Sequence, residues 1–307
     1  METVLTTHAL TRKFGDHKAV DQVDLHIRPG EIYGLIGRNG AGKTTVLKMA
    51  AGLIRPTEGS VELFGMTVEQ ALACGRLAKV GALIEAPGLH GGMTGYDNVR
   101  LKCLAAGIPP KEEYIMELME TVGLTEAAYK KAGHYSLGMR QRLGIALALV
   151  GEPELLILDE PINGLDPQGI AEVREILLRL HEQRQITILI SSHILEELAK
   201  IITVCGILDN GRLLREFSRE EMERECSDRV VIKTDAPQDC LPVLAQLGLT
   251  RYSAADEHTV EVFEGVDRSP AMIAALAAAG IPLREVYTDG QTLEEFFLHI
   301  VGGEGHE

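Results

Sequence analysis

Gly37-Arg38-Asn39-Gly40-Ala41-Gly42-Lys43-Thr44-Thr45 is the stretch whose reading decides the fold. The apolar run before it, Ile32-Tyr33-Gly34-Leu35-Ile36, reads as a strand, and Val46-Leu47-Lys48-Met49-Ala50-Ala51 after it has a helical pattern. Strand, glycine loop closing in Lys-Thr, then helix: this is the phosphate-cradling P-loop in the context that gives it meaning. Gly37, Gly40 and Gly42 let backbone N–H groups turn inward as an anion nest at the positive end of the helix. Arg38, Asn39, Ala41 and Thr45 count with them as nucleotide-binding positions. The Lys43 ammonium is expected at the β- and γ-phosphates, and the Thr44 hydroxyl at Mg2+.

Two later apolar runs carry polar groups at their C-terminal ends, where ligands of parallel sheets gather. Leu155-Leu156-Ile157-Leu158 ends in Asp159-Glu160-Pro161, and Ile186-Thr187-Ile188-Leu189-Ile190-Ser191 ends in Ser192-His193. Asp159 is the expected partner of Mg2+ opposite Thr44, and Glu160 is placed to act as general base on a water. His193, beside that pair, is expected to hydrogen-bond the γ-phosphate. Upstream, Ser136 caps the helix Leu137-Gly138-Met139-Arg140-Gln141-Arg142, whose free N–H groups can grip an anion.

Around these motifs the hydrophobic period changes three times. Thr3–Thr6 and Ala19–Ile27 read as strands with a turn at Lys13–Asp16, and Phe14 is a candidate to stack on adenine. Ser60–Phe64 and Val80–Ile84 are further strands, the second ending at Glu85 before a glycine-rich stretch. Tyr96–Val150 is helical, an insert in a sheet protein. Val204–Leu208 and Arg212–Leu214 flank the turn Asp209-Asn210-Gly211, and Arg215–Arg229 is a mixed-charge run expected as a solvated helix or linker. Beyond it a β-α-β-β-α-β order with a final helix predicts a ferredoxin-like α+β domain.

At 307 residues, two domains are expected. The net charge of −15 argues against a general nucleic-acid binder. Five scattered cysteines with no C-x-x-C pair suit a reducing cytosol and offer no zinc site. Met1–Leu5 does not read as a signal peptide, and no apolar run approaches the roughly 18–20 residues of a membrane span. Action at a membrane is therefore expected through a partner.

In this order, the P-loop at 37–45, the Tyr135–Arg142 signature, Asp159-Glu160, the Gly164-Leu165-Asp166 turn and His193 resemble the ATP-binding subunit of an ABC transporter. The likeness covers about residues 1–215, and the wording Tyr135–Ala146 and Asp159–Pro167 is similar to the bacitracin-resistance and lantibiotic-immunity branch. It implies an α/β P-loop NTPase: a RecA-like core with an antiparallel β subdomain and a helical insert. The expected ranges are 1–217 for the nucleotide-binding domain (insert about 92–150), 218–228 for a linker and 229–307 for an accessory domain. Two chains are then expected to close head-to-tail over two ATP molecules, so that Ser136, Gly138 and Asp166 of one chain face the P-loop of the other. The homodimer would power a separate integral membrane permease from the cytoplasmic face, exporting a peptide antibiotic, lantibiotic or lipid-like compound.

Two departures from the usual pattern stand out, one in the signature and one at position 85. Tyr135, Leu137 and Met139 replace the family's Leu, Gly and Gln, and Glu85 stands where most members have glutamine, as the lantibiotic-type branch often does. An ionised glutamate only accepts hydrogen bonds, so Glu85 is expected as a metal ligand that opposes the γ-phosphate charge. The alternative, a soluble ABC-type ATPase acting on ribosomes or chromosomes, would bring tandem cassettes or long coiled coils, and neither pattern is present.

Overall fold

The computed structural model describes residues 3–226, 228–290 and 292–303. Residues 1–2, 227, 291 and 304–307, which fall within the expected domain and linker ranges, lie outside the described residues. Contacts divide the chain into a unit over Met1–Arg219 and a second over Glu220–Glu307.

The first unit opens with β1 (Leu5–Phe14), β2 (His17–Val23), β3 (His26–Ile27) and β4 (Ile32–Ile36), then α1 (Lys43–Ala50). Next come β5 (Glu58–Leu63), β6 (Met66–Thr67), α2 (Val68–Ala73) and β7 (Val80–Leu83). Three helices follow, α3 (Gly95–Ala105), α4 (Glu112–Thr121) and α5 (Leu137–Ala148), before β8 (Leu155–Asp159). The rest is α6 (Pro167–Arg184), β9 (Thr187–Ser192), α7 (Leu195–Ala199), β10 (Val204–Asp209) and β11 (Arg212–Ser218). A further helix, α8 (Arg219–Glu225), crosses the boundary between units.

Six strands form the central sheet in the order β11-β10-β4-β9-β8-β7. All neighbours run parallel except β11, which is antiparallel to β10. Every residue of β4, β8 and β9 is buried, as unbroken apolar runs predict for strands covered on both faces. Each fully buried Leu or Ile there contributes roughly 1.5–3 kcal/mol. The helix after the P-loop is held through buried Val46, Leu47, Met49 and Ala50. Because β4 lies between β9 and β10, the P-loop emerges beside the end of β9, with β8 one strand further.

A second sheet, β2-β1-β5-β6 with β3 on β1, is antiparallel. Here the structure corrects the expected strands. Instead of a short strand at Thr3–Thr6, β1 is a long strand bent at Ala9 (φ 44°), with register shifts after His8, Leu10 and Arg12. The bend lets one strand pair with β5 and β2, and it removes the simple alternation that would have exposed its length in the sequence. Buried Thr7 stitches this sheet: its hydroxyl donates to Val23 O (2.8 Å) and accepts from Leu25 N (2.8 Å).

The helical insert is capped at Ser136, as its sequence indicates, and also at Thr94. Thr94 Oγ1 accepts from Asp97 N at 3.0 Å, and Ser136 Oγ accepts from Met139 N at 3.2 Å. Buried Asn98 pins the stretch after Glu85, accepting from His90 N (2.8 Å) and donating to His90 O (3.2 Å) and Thr94 O (2.8 Å). The mixed-charge run is also corrected: its first residues extend β11 to Ser218, an edge strand whose charged side chains face solvent while Phe217 is buried.

The second unit contains β12 (Arg229–Thr234), α9 (Pro237–Gln246), β13 (Tyr252–Asp256), β14 (Thr259–Val262), α10 (Ser269–Ala278), β15 (Leu283–Asp289) and α11 (Leu293–Gly303). Its sheet order is β13-β14-β12-β15 with every pair antiparallel, which is the ferredoxin-like arrangement of a β-α-β-β-α-β chain. Val230, Ile232, Val260 and Val262 pack with Cys240, Leu244, Met272 and Leu276 in its own core.

Candidate functional site

The P-loop turns through left-handed backbone at Gly40 (φ 86°) and Gly42 (φ 104°). A Cβ at Gly42 would lie 2.4 Å from the carbonyl oxygen of Ala19, so both the dihedral and the close approach of β2 require glycine. Arg38, Asn39 and Gly40 are exposed, Gly42, Thr44 and Thr45 half-buried, and Gly37, Ala41 and Lys43 buried. Lys43 is only 5% exposed, and its ammonium donates to Gly37 O (2.6 Å) and Arg38 O (3.2 Å). It also stands 3.2 Å from Glu160 Oε1.

Three adjacent strands bring their polar ends together here. The Thr44 hydroxyl, at the start of α1, donates to Asp159 Oδ2 at 2.8 Å, and Ser191 Oγ donates to Asp159 Oδ1 at 2.7 Å. Ser191 Oγ also accepts from Glu160 N at 3.0 Å, and Ser191 O accepts from the same N–H at 3.2 Å. This grip holds Glu160 in left-handed backbone (φ 50°), which a non-glycine residue adopts only under constraint. Its Oε2 lies 2.8 Å from Nδ1 of exposed His193. Its buried Oε1 has an ion partner in Lys43 and no aligned hydrogen bond, so a buried acceptor faces the ammonium with unused capacity.

Asp159 (4% exposed) and Thr44 supply hard oxygen atoms side by side, the donor chemistry that suits Mg2+. Glu85 does not bond to them. It has left-handed backbone (φ 64°) and pairs with Lys48 of α1, Oε1 accepting from Nζ at 2.5 Å. Glu85 and Glu160 nevertheless line one cavity of about 410 Å3, together with Arg140 and Gln141.

Ser136, Gly138 and Asp166 gather elsewhere, in a cavity of about 480 Å3 that none of residues 37–45 lines. Ser136 caps α5, and Asp166 caps α6 by accepting from Gly169 N at 3.0 Å. Buried Tyr135 anchors the turn, its hydroxyl donating to Ala127 O at 2.6 Å. Phe14, at the end of β1, is 50% exposed, and the Arg12 guanidinium lies 4.7 Å from its ring centroid. The ring is thus outside any core, and the described contacts do not join it to the P-loop.

Sequence reading missed Ser191 and Lys48. Ser191 is a hydroxyl closing an apolar run just before Ser192-His193, and Lys48 stands four residues after Thr44 on the same helix face; their places were visible, their partners were not.

Comparison with known proteins gives the family and supports the fold. The ABC transporter family profile matches residues 20–163. The bacitracin transport ATP-binding protein BcrA of Bacillus licheniformis is 36% identical over 304 residues, covering 99% of each chain. The lantibiotic transport ATP-binding protein SrtF of Streptococcus pyogenes is 38% identical over 213 residues, 69% of this chain and 90% of that one. Among solved structures, the dimeric post-hydrolysis ATP-binding cassette MJ0796 bound to ADP and Pi superposes with a TM-score of 0.63 at 26% identity, covering 70% of this chain and 98% of that one. The ADP conformation of the cassette MJ1267 gives 0.64 at 26% identity, covering 73% and 94%. The chain belongs to the ATP-binding subunits of ABC transporters and is an ATP hydrolase. Among the described residues, no helix is long and apolar enough to cross a membrane.

Proposed function

We propose that this chain hydrolyses ATP as half of a head-to-tail homodimer on the inner face of the cell membrane. There it drives a separate integral permease that exports a peptide antibiotic, lantibiotic or lipid-like compound. The observation that carries the reading is the division of the site. The phosphate loop with Asp159 and Glu160 is one part, and the groove of Ser136, Gly138 and Asp166 is another, sharing none of residues 37–45. Two copies related head-to-tail place one part over the other, and ATP completes the interface. Full-length similarity to a bacitracin transport subunit supports the cargo class. Residues 229–307 act as an accessory domain after the 218–228 linker, and nucleic acid has no part in the cycle.

Within each site, Lys43 releases the carbonyls of Gly37 and Arg38 to meet the β- and γ-phosphates, and the loop N–H groups bind the remaining oxygens. Thr44 and Asp159 would hold Mg2+, Glu85 would approach it from the cavity that it lines with Glu160, and the ion would neutralise charge on the phosphates. Glu160 takes the proton of a water that attacks the γ-phosphorus, the bond to the β–γ bridging oxygen breaks, and ADP and phosphate leave. His193 orients Glu160 through Oε2 and meets the γ-phosphate from the other side. Phe14 offers its free face to the adenine.

Glu160→Gln tests this directly. The variant is expected to keep ATP binding, lose hydrolysis by about 100-fold or more, and elute as a dimer in ATP on size-exclusion chromatography with light scattering. Hydrolysis at the wild-type rate would refute the base assignment, and a monomer in saturating ATP would refute the divided site. Purification of the native chain with ribosomes or DNA, without a multi-span membrane protein, would refute the transport reading.

A further inference from the structure

We propose that Lys48 is a positioning residue for Glu85, the counter-ion that lets a carboxylate stand at the edge of the phosphate site. The inference rests on the nucleotide reading above and concerns a residue that reading does not use. Lys48 Nζ donates to Glu85 Oε1 at 2.5 Å. The lysine comes four residues after Thr44 in α1, so the two side chains share a face one turn apart. Thr44 in turn donates to Asp159, so the helix face that carries the phosphate and metal ligands also carries the tether for Glu85. The tether is needed on two counts. Glu85 sits in left-handed backbone, where a side chain persists only if its surroundings hold it. Its carboxylate also opens on the cavity that Glu160 lines, and two negative charges there would repel each other and an arriving triphosphate. Lys48 answers the second count by cancelling the added charge, and the first by fixing where it points.

The pair is open to solvent, with side-chain exposures of 29% for Lys48 and 65% for Glu85, so it is weak enough to exchange. A metal ion held by Thr44 and Asp159 would compete with Lys48 for the Glu85 carboxylate. A neutral glutamine at position 85 would leave Lys48 without this role. The competing explanation is structural: Lys48 lies in the last turn of α1 and favours that helix end through its charge, whatever residue stands at 85.

A double-mutant cycle separates the two. The full chain, Lys48→Met, Glu85→Gln and the double variant are titrated with Mg2+ at fixed non-hydrolysable ATP analogue, and binding is read by equilibrium dialysis. With Lys48 gone, Glu85 is free for the metal, and half-saturation should need about 1.5- to 5-fold less Mg2+, the range of a partly exposed ion pair. Lys48→Arg should restore the wild-type value. In the Glu85→Gln background, Lys48→Met should change nothing. An equal shift in both backgrounds, or no shift in the wild-type background, overturns the proposal. Should Lys48→Met fold poorly, Lys48→Gln carries the same comparison. If the wild-type chain binds no analogue at all, the nucleotide reading fails first and this inference with it; binding with an additive cycle removes the inference alone.

Discussion

Ser191→Ala is the sharpest test of how the reaction centre is built. The hydroxyl is fully buried and makes two bonds, one to Asp159 Oδ1 at 2.7 Å and one from Glu160 N at 3.0 Å. Glu160 N keeps Ser191 O at 3.2 Å, so the backbone donor stays paired. Asp159 Oδ1 loses its donor inside the protein, and leaving a buried acceptor unsatisfied costs about 1–3 kcal/mol. For a unit of this size each kcal/mol moves the midpoint by roughly 2–4 °C, so calorimetry of the full chain should show the nucleotide-binding transition lowered by about 2–12 °C. ATPase activity should fall as well, because the constraint on Glu160 is loosened, although no reacting group is removed. In an Asp159→Ala background the same substitution should be nearly neutral, a coupling of at least about 0.5 kcal/mol. Equal losses in both backgrounds would refute the network, as would an unchanged melt.

Gly42→Ala should abolish nucleotide binding and lower the melting temperature: φ 104° and a carbonyl 2.4 Å from the new carbon leave only strained options of about 1–3 kcal/mol or more. Titration with a fluorescent ATP analogue checks it. Asp21 ties β2 to β11, accepting from Lys18 (2.8 Å) and from Arg212 (2.8 and 3.1 Å). Lys18 first, then Arg212, hold its carboxyl below the usual value, so its contribution is complete above the ordinary carboxylate range and is lost as pH falls through the lower folded value. Asp21→Asn should therefore lower the urea midpoint at pH 7, and the gap to wild type should close in strong acid.

Much of the centre was legible because its parts are short and locally encoded. The P-loop strand, loop and helix are contiguous, and β8 and β9 announce themselves as apolar runs with polar ends. The cap at Ser136 follows from residue type and position. What stayed hidden depends on pairings across the fold. Lys48 meets Glu85 only because β7 delivers it to α1, and Ser191 reaches Asp159 only because β8 and β9 are neighbours in register, Asp159 opposite Ser191. Long β1 was illegible for a different reason: a bend at Ala9 and three register shifts, one against β5 and two against β2, break the period of two that would mark it. The extension of β11 was masked by its edge position, where charged side chains face water and read as linker.

The chain leaves the central sheet at the end of β7, builds three helices, and returns at β8, which pairs directly with β7 from Val80 opposite Leu155 to Leu83 opposite Leu158. The two strands run parallel, so the insert leaves at the Leu83 end of this ladder and returns at its Leu155 end, and the pairing fixes both points on one sheet. Changes inside the insert, in helix length, surface or tilt, cannot pull Asp159 and Glu160 away from the P-loop while that pairing holds. The outer surface of the insert can therefore diversify to suit a different neighbour while the sheet keeps its geometry, and helical segments from related chains that carry the equivalents of Glu85, Ser136 and Gly138 should be exchangeable at residues 84 and 154 with hydrolysis preserved.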